Sequence, residues 1–146
     1  PRLSRRLIQA KRFGLPALCA LVAAASDPLS LGSRLQIPLQ QQILLESLID
    51  LRCWLELEVK QQQWSHWGAL EWTQRLEQKC WPPESAALAV LDNTQFRRPL
   101  LRWWGRWRHV RSPLSARELL AQGMCQGPAL GDELKRRREQ HLRKMR

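Results

Sequence analysis

The amino-acid sequence predicts an all-α chain of about eight helices, arranged as two small packed helical subdomains. Leu, Ala, Gln, Glu and Arg, which are good helix formers, dominate the 146 residues. Val, Ile and Thr are scarce, and no stretch alternates apolar with polar residues as a strand would. Hydrophobic residues make up 44% of the chain, which excludes a disordered tail and suffices for a core.

Three helices are predicted in the first half of the chain. They are expected at residues 2–12, 15–25 and 38–60. Gly14 and Pro16 separate the first two, and the turn-forming residues at 27–33 predict a linker. Pro38 suits the first turn of the third helix. Leucines on one face of this long helix predict that the face is buried: Leu44, Leu48, Leu51 and Leu55.

Five helices are predicted in the second half of the chain. They are expected at residues 64–78, 85–91, 99–110, 114–122 and 128–143. Asp92-Asn93 and Pro113 are expected to end the second and third of these, and Gly123 is expected to cap the C-terminal end of the fourth. Gly127-Pro128 is expected to begin the last.

The four cysteines predict neither a metal site nor a disulfide framework. They are widely spaced, without the short Cys-x-x-Cys pairs in which zinc ligands occur. We therefore expect all four thiols to be core residues of a cytoplasmic protein. These cysteines are Cys19, Cys53, Cys80 and Cys125.

The apolar residues 15–26 follow an Arg-rich segment and are similar to a secretory signal peptide. We favour the alternative, a short buried helix, because no secreted disulfide framework follows it. The chain begins with Pro1 rather than Met, so we expect it to be a fragment. No run reaches the roughly 18 apolar residues that a membrane span requires, so no membrane partner is expected.

Positive charge is concentrated at the two ends of the chain. The net charge is +11, from 24 Lys and Arg against 13 Asp and Glu. Residues 97–146 hold fourteen basic and four acidic residues, whereas residues 13–96 hold five basic and nine acidic ones. This division predicts a helical body over residues 1–96 and a basic helical tail over residues 97–146, with a polyanionic partner such as nucleic acid.

A segment rich in tryptophan and arginine opens the basic tail. Leu100 and three tryptophans share one side of the predicted helix: Trp103, Trp104 and Trp107. Arginines recur every four residues on another side: Arg98, Arg102 and Arg106. We interpret the arginines as a basic stripe that contacts phosphates, because no acidic residue occurs between Asp92 and Glu118. We interpret the tryptophans as core residues, with stacking on unpaired bases as the alternative.

The Gly-Pro hairpin and the basic residues after it are further candidates. Gly127 and Pro128 would leave the N-terminus of the last helix open to a phosphate, and a tight helix–helix turn is the alternative. The arginine-rich residues beyond it fit contact with nucleic acid, and equally a solvated tail. The predicted RNA-binding residues are Arg98, Arg102, Arg106, Arg108, Arg111, Gly127, Lys135, Arg136 and Arg137.

The residues from 112 to 134 resemble the tail signature of the bacterial class II tRNA nucleotidyltransferases. These are the CCA-, CC- or A-adding enzymes of the poly(A) polymerase family. Ala116-Arg117-Glu118-Leu119, Gly123 and Gly127-Pro128-Ala129-Leu130-Gly131 are similar to the family's Gly-x-Asp-Leu, a following glycine and Pro-Gly-Pro-x-x-Gly. The chain has Ala116, Glu118 and Gln126 where the family has Gly, Asp and Pro. Weaker similarity extends the resemblance over about residues 27–142.

The resemblance implies that this chain carries no active site. The family's catalytic head has a Gly-Ser element followed by Asp-x-Asp, which holds the metal ions for phosphoryl transfer. Gly32-Ser33 is present, but the chain contains no Asp-x-Asp and no Glu-Asp-x-x-Arg base-selecting pattern. We expect no catalytic residue, no metal ligand, no cofactor and no small-molecule substrate here. Mg²⁺ and ATP or CTP would bind only to the family's head.

The resemblance implies a non-catalytic region that holds tRNA by its backbone while a catalytic head adds CCA, CC or A at the 3′ end. If the chain is part of a full enzyme, the whole would be a transferase. Two other classes stay open: a DNA-binding module of the helix-hairpin-helix kind, and a helical scaffold that packs against a partner protein. A comparison of the affinity for tRNA with that for duplex DNA would separate the tRNA-binding region from the DNA-binding module.

Overall fold

The computed structural model describes residues 2–92 and 95–145, and the all-α prediction is confirmed over this part of the chain. Nine α-helices are present there: α1 (Arg2–Arg12), α2 (Ala17–Val22), α3 (Pro28–Arg34), α4 (Leu39–Trp54), α5 (Ala69–Gln78), α6 (Pro83–Asp92), α7 (Arg97–Gly105), α8 (Ala116–Ala121) and α9 (Pro128–Arg143). A π-helical turn extends α4, and two 3₁₀ turns occur at Trp64–His66 and Trp107–His109. None of these described helices is long and apolar enough to cross a membrane.

The prediction of a linker at residues 27–33 is wrong, because this segment forms helix α3. Asp27 is its N-cap, and the carboxylate Oδ1 accepts a hydrogen bond from the backbone N–H of Ser30 at 3.3 Å. Pro28 follows in the first helical position, where its missing N–H costs nothing. The turn-forming residues were therefore helix-start signals, and α3 is the one α-helix of the described residues beyond the predicted eight.

Helix α4 buries the face that its leucines predicted. Leu48, Leu51 and Leu55 are at most 1% exposed, and the π-helical turn Leu55–Val59 carries the segment almost to the predicted end at residue 60. The predicted helix over residues 64–78 is instead divided at Gly68. The side chain of Glu71 accepts a hydrogen bond from the backbone N–H of Gly68 at 2.8 Å, which starts α5 afresh after the 3₁₀ turn.

Helix α6 begins at Pro83, two residues before the predicted start, because proline is tolerated in the first helical turn. The predicted end at Asp92-Asn93 involves Asn93, which lies outside the described residues. Ser85 and the apolar residues that follow it are buried, so α6 runs through the interior. It packs against both α4 and α7.

An aromatic cluster forms the centre of the core. Trp72 of α5 is 1% exposed, and its ring centroid lies 5.0 Å from that of Trp67 and 6.4 Å from those of Trp54 and Phe96. These edge-to-face contacts join α4, α5 and the start of α7. Buried side chains from α7 and α9, including Leu100 and Leu142, belong to the same hydrophobic cluster. The division of the chain at residue 96 stays a prediction.

The prediction that all four cysteines are core residues is wrong for three of them. Cys19 is fully buried in α2, whereas Cys53, Cys80 and Cys125 are exposed, and all four are free thiols. Cys53 lies on the outer side of α4, Cys80 lies in the turn after α5, and Cys125 lies in the connection between α8 and α9. Composition alone cannot separate these positions, because a free cysteine is small enough to fit either environment.

Candidate nucleic-acid interface

Helix α7 presents two arginines of the predicted stripe to solvent. Arg98 and Arg102 are both exposed and lie four residues apart, so their Cβ atoms share one face of the helix. Leu100 and Trp103, on the other side, are 0% and 6% exposed and hold α7 in the core. Among the described residues, no carboxylate forms an ion pair with either guanidinium.

The prediction that this helix continues to residue 110 is wrong. Helix α7 ends at Gly105, and Arg106 has φ −136° and ψ −61°, outside the helical region. Glycine is a poor helix former, and a 3₁₀ turn, Trp107–His109, follows. Arg106 is exposed like Arg98 and Arg102, but it does not continue their helical stripe.

The tryptophans of this segment belong mainly to the core, as interpreted from their spacing. Trp103 and Trp107 are 6% and 2% exposed, and Trp104 is half-buried. The indole Nε1 atoms of Trp103 and Trp107 are buried with no hydrogen-bond partner within the described part of the chain. The buried rings are therefore unable to act as open stacking platforms for bases.

Arg108 is held against its neighbour Trp104. Its guanidinium carbon lies 4.1 Å from the centroid of the Trp104 ring, a cation–π distance, and its Nε donates to the Trp104 carbonyl oxygen. Phe13, in the turn after α1, meets the same ring edge-on at 6.3 Å between centroids. Arg108 is thus partly buried and restricted, whereas Arg111, three residues on, is exposed.

Arg138 of α9 ties the segment after α7 to the rest of the fold. Its Nε donates to the carbonyl oxygen of Val110 at 2.8 Å, and its two terminal nitrogens donate to the Glu77 carboxylate at 2.9 and 2.7 Å. The hydrogen bonds to Glu77 raise the pKa of Arg138 above its ordinary value. This cation of the terminal run is therefore structural.

The predicted site residues on α9 are largely occupied within the helix. Arg136 donates to both oxygens of Glu133 at 2.9 and 2.6 Å, and Arg137 donates to the same carboxylate at 2.7 Å. Hydrogen bonding by Arg136, assisted by Arg137, lowers the pKa of Glu133 to about 2. Lys135 is exposed and lines a groove between α5 and α9. One carboxylate thus neutralises part of the positive charge on this helix.

The hairpin between α8 and α9 has the predicted turn chemistry. Helix α8 ends at Ala121, and Gly123 follows its C-cap with a φ of +98°. The N–H groups of Gly123 and Met124 donate to the carbonyls of Leu120 and Leu119. Gly127, at φ +145°, precedes Pro128 and is exposed at the N-terminus of α9. An added Cβ at Gly123 or Gly127 would meet no described atom within 4 Å, so conformation rather than close packing explains these glycines.

Ser115 and Glu118 cap the other end of α8, a signal that the sequence contained. The Ser115 hydroxyl accepts from the Glu118 N–H at 3.2 Å, and the Glu118 carboxylate accepts from the Ser115 N–H at 2.9 Å. The Ser-x-x-Glu spacing indicates this capping box and places the helix start two residues after the predicted residue 114. The box also gives Glu118 a structural partner.

Two basic residues of the body support helix α2 instead of facing a ligand. Arg6, 7% exposed, donates through Nε to the carbonyl oxygen of Ala20, and Arg52 donates to that of Ala23 at 2.9 Å. These carbonyls belong to the C-terminal end of α2, where a helix has unpaired acceptors and negative dipole charge. The basic N-terminal segment is thus partly incorporated into the fold.

Two exposed arginines were not among the predicted site residues. Arg97 is the first residue of α7, which begins two residues before the predicted start, and Arg117 lies on α8. The fold also brings the turn after α5, with Cys80 and Trp81, beside Arg108 and Arg111 to line a shared cavity. No spacing pattern indicates this arrangement, because the two segments are distant in the sequence.

The described residues contain no group of three or more His, Cys, Asp or Glu side chains placed to hold a metal ion. Comparisons of the chain with protein-family models, curated proteins and solved structures found no match. The candidate interface therefore depends on the charges and contacts described above.

Proposed function

We propose that this chain binds folded RNA through its phosphate backbone and performs no catalysis of its own. The observation that carries the proposal is the set of exposed arginines on and after α7 that lack an ion-pair partner among the described residues. These arginines are Arg98, Arg102, Arg106 and Arg111.

The contrast with the other basic residues supports this choice. Arg136 and Arg137 share Glu133, and Arg138 is paired with Glu77, so part of their charge is already balanced. An unpaired, solvated guanidinium has its donors available for phosphate oxygens, with which it can form two parallel hydrogen bonds. We therefore assign the main phosphate contacts to the segment that begins at α7, and place Lys135, Arg136 and Arg137 second.

The proposed RNA is tRNA, and the proposed context is the non-catalytic tail of a tRNA nucleotidyltransferase-like protein. The resemblance of the α8–α9 hairpin to the tail signature of that family supports this identity. Backbone contacts of this kind recognise the shape of a folded RNA more than its sequence. A cytoplasmic location belongs to the same proposal.

The test measures tRNA affinity as a function of salt concentration for the whole chain and for an Arg98→Gln/Arg102→Gln variant. Each lost phosphate contact should reduce the slope of log affinity against log salt by about 0.7 to 0.9. The control variant is Arg136→Gln/Arg137→Gln, which removes equal charge from residues that pair with Glu133. An unchanged slope in the α7 variant, or an equal change in both variants, would contradict the proposal.

A DNA-binding module is the second candidate, and the α8–α9 hairpin favours it. Gly127 and Pro128 leave the start of α9 exposed and without a side-chain cap. Backbone N–H groups at such a position bind phosphates in either nucleic acid. Stronger binding to duplex DNA than to tRNA at the same salt concentration would support this candidate. If the chain shows no salt-sensitive binding to either nucleic acid, that result would instead favour the helical scaffold.

A further inference from the structure

A cavity of about 290 Å³ lies between the α5–α6 turn and the segment that follows α7. Trp81, Pro83 and Trp103 contribute aromatic and apolar surface to its lining. Arg108, His109 and Arg111 contribute the basic surface. Ligand pockets start at roughly 300 Å³, so this cavity suits one small unit and not an extended polymer.

The positive charge in this cavity is not balanced by the acidic residue that lines it. Glu77 also lines the cavity, but both of its carboxylate oxygens accept hydrogen bonds from Arg138. Within the described residues, neither Arg108 nor Arg111 forms an ion pair. The cavity therefore favours an anion, and phosphate is one of the anions whose geometry matches the donors of a guanidinium group.

The side chain of Arg108 is preorganised for binding. Its stacking on Trp104 and the hydrogen bond from its Nε to the Trp104 carbonyl oxygen restrict the side chain. The two terminal nitrogens have no hydrogen-bond partner among the described residues, so their donors are available. Binding through such a residue loses less conformational entropy than binding through a flexible one.

Trp103 contributes ring surface to the wall of the cavity. The residue is 6% exposed, and its indole Nε1 is fully buried. The contribution of Trp103 to the cavity is therefore apolar.

We infer that this cavity binds a single nucleotide unit, with the phosphate at Arg108 and Arg111 and the base against Trp81. The source of that nucleotide is an unpaired residue of the bound RNA, and this part of the inference rests on the proposed RNA-binding function. A free nucleotide has the same chemistry and serves as the probe. The aromatic surface and the basic surface together distinguish a nucleotide from inorganic phosphate.

The test uses the whole chain labelled with ¹⁵N-tryptophan and follows the indole signals of Trp81 and Trp103 during titration with 5′-AMP. Adenosine and inorganic phosphate, titrated separately, report the contributions of base and phosphate. We expect saturable shifts with 5′-AMP and weaker binding of both fragments. Arg111→Gln, at an exposed position, should weaken 5′-AMP binding by about tenfold, roughly 1.4 kcal/mol. Arg117→Gln on α8 removes the same charge away from the cavity and should leave binding unchanged.

Equal weakening by Arg117→Gln and Arg111→Gln would overturn the inference, as would the absence of saturable shifts with 5′-AMP. A single-stranded oligonucleotide that competes with 5′-AMP would support RNA as the source, whereas 5′-AMP binding without competition would support a free nucleotide and overturn RNA as the source. The two proposals fail separately. If 5′-AMP causes saturable shifts but tRNA affinity does not depend on Arg98 and Arg102, only the proposed function fails. If tRNA affinity depends on these arginines but 5′-AMP causes no saturable shifts, only the nucleotide site in the cavity fails.

Discussion

The guanidinium of Arg138 holds the carboxylate of Glu77 with two hydrogen bonds, of 2.9 and 2.7 Å, between residues 61 positions apart. The same side chain binds the carbonyl oxygen of Val110. One residue of α9 therefore joins α5 to the segment between α7 and α8. Arg138 lies in an arginine-rich segment that the sequence suggests is a solvated tail, but it holds parts of the fold together, whereas its neighbours Arg136 and Arg137 bond only within α9.

Replacing Arg138 with Gln should destabilise the fold. We expect a loss of about 1 kcal/mol, because solvent screens the pair and Glu77 is 40% exposed, while the bond to Val110 is also lost. Urea denaturation of both proteins measures the difference. Arg136→Gln is the matched control, because Arg136 bonds only within α9 and should have the smaller effect. Equal losses would show that the contacts of Arg138 add nothing to stability.

The carboxyl group of Glu133 should titrate with a pKa of about 2, well below its ordinary 4.5, because Arg136 and Arg137 donate to its ionised form. Its contribution to stability is therefore present above the unfolded pKa and is lost as the pH falls through the folded pKa. Carboxyl NMR chemical shifts followed from a pH of about 1.5 to about 6 give the value. Arg136→Gln should raise the pKa of Glu133 more than Arg137→Gln, and an ordinary value in the unsubstituted protein would contradict the pairing.

The four cysteines should differ in reactivity towards a thiol reagent in the native protein. Cys53, Cys80 and Cys125 are exposed and should be modified, whereas Cys19 is buried, and burial raises the pKa of its thiol. Mass spectrometry of peptides after brief alkylation at pH of about 8 identifies the modified residues. Cys19 should react only when denaturant is added. Modification of Cys19 at the rate of Cys53 would show that α2 is not packed as described.

Gly127 and Gly131, at the start of α9 and within it, should respond oppositely to replacement by alanine. Gly127 has φ +145°, which side chains rarely adopt, so Gly127→Ala should lower stability by about 1–3 kcal/mol. Gly131 lies in α9 with open space around an added Cβ, so Gly131→Ala should raise stability by up to about 1 kcal/mol. Thermal unfolding of both variants distinguishes them. Destabilisation by Gly131→Ala would indicate a close contact at that position.

The helical framework is largely predictable from sequence because each element has local signals. The leucines of α4 share one face and are buried, and Gly123 and Pro128 mark the ends of the last hairpin. The errors occur where a residue that starts or ends a helix was assigned to another element. Asp27-Pro28 starts a helix where we expected a linker, and Gly105 ends one five residues before the predicted residue 110.

The candidate site is less predictable, because the partner of a charged residue is set by tertiary structure. Arg98 and Arg138 both occur in basic segments, yet the first is exposed and the second bridges three parts of the fold. Periodicity identified the exposed pair on α7 but could not identify Glu77 as a partner for α9. It also could not bring Trp81 next to Arg108 and Arg111, since their proximity depends on how the helices pack.

The two sides of α7 can be changed separately, and this has a consequence for how the strength of the proposed RNA binding can evolve. Leu100 and Trp103 anchor the helix, so their replacement would disturb folding. Arg98 and Arg102 are exposed, and surface substitutions usually change stability by no more than about 0.5 kcal/mol. Mutation can therefore adjust the charge of this side in small steps, towards stronger or weaker attachment, while the protein continues to fold.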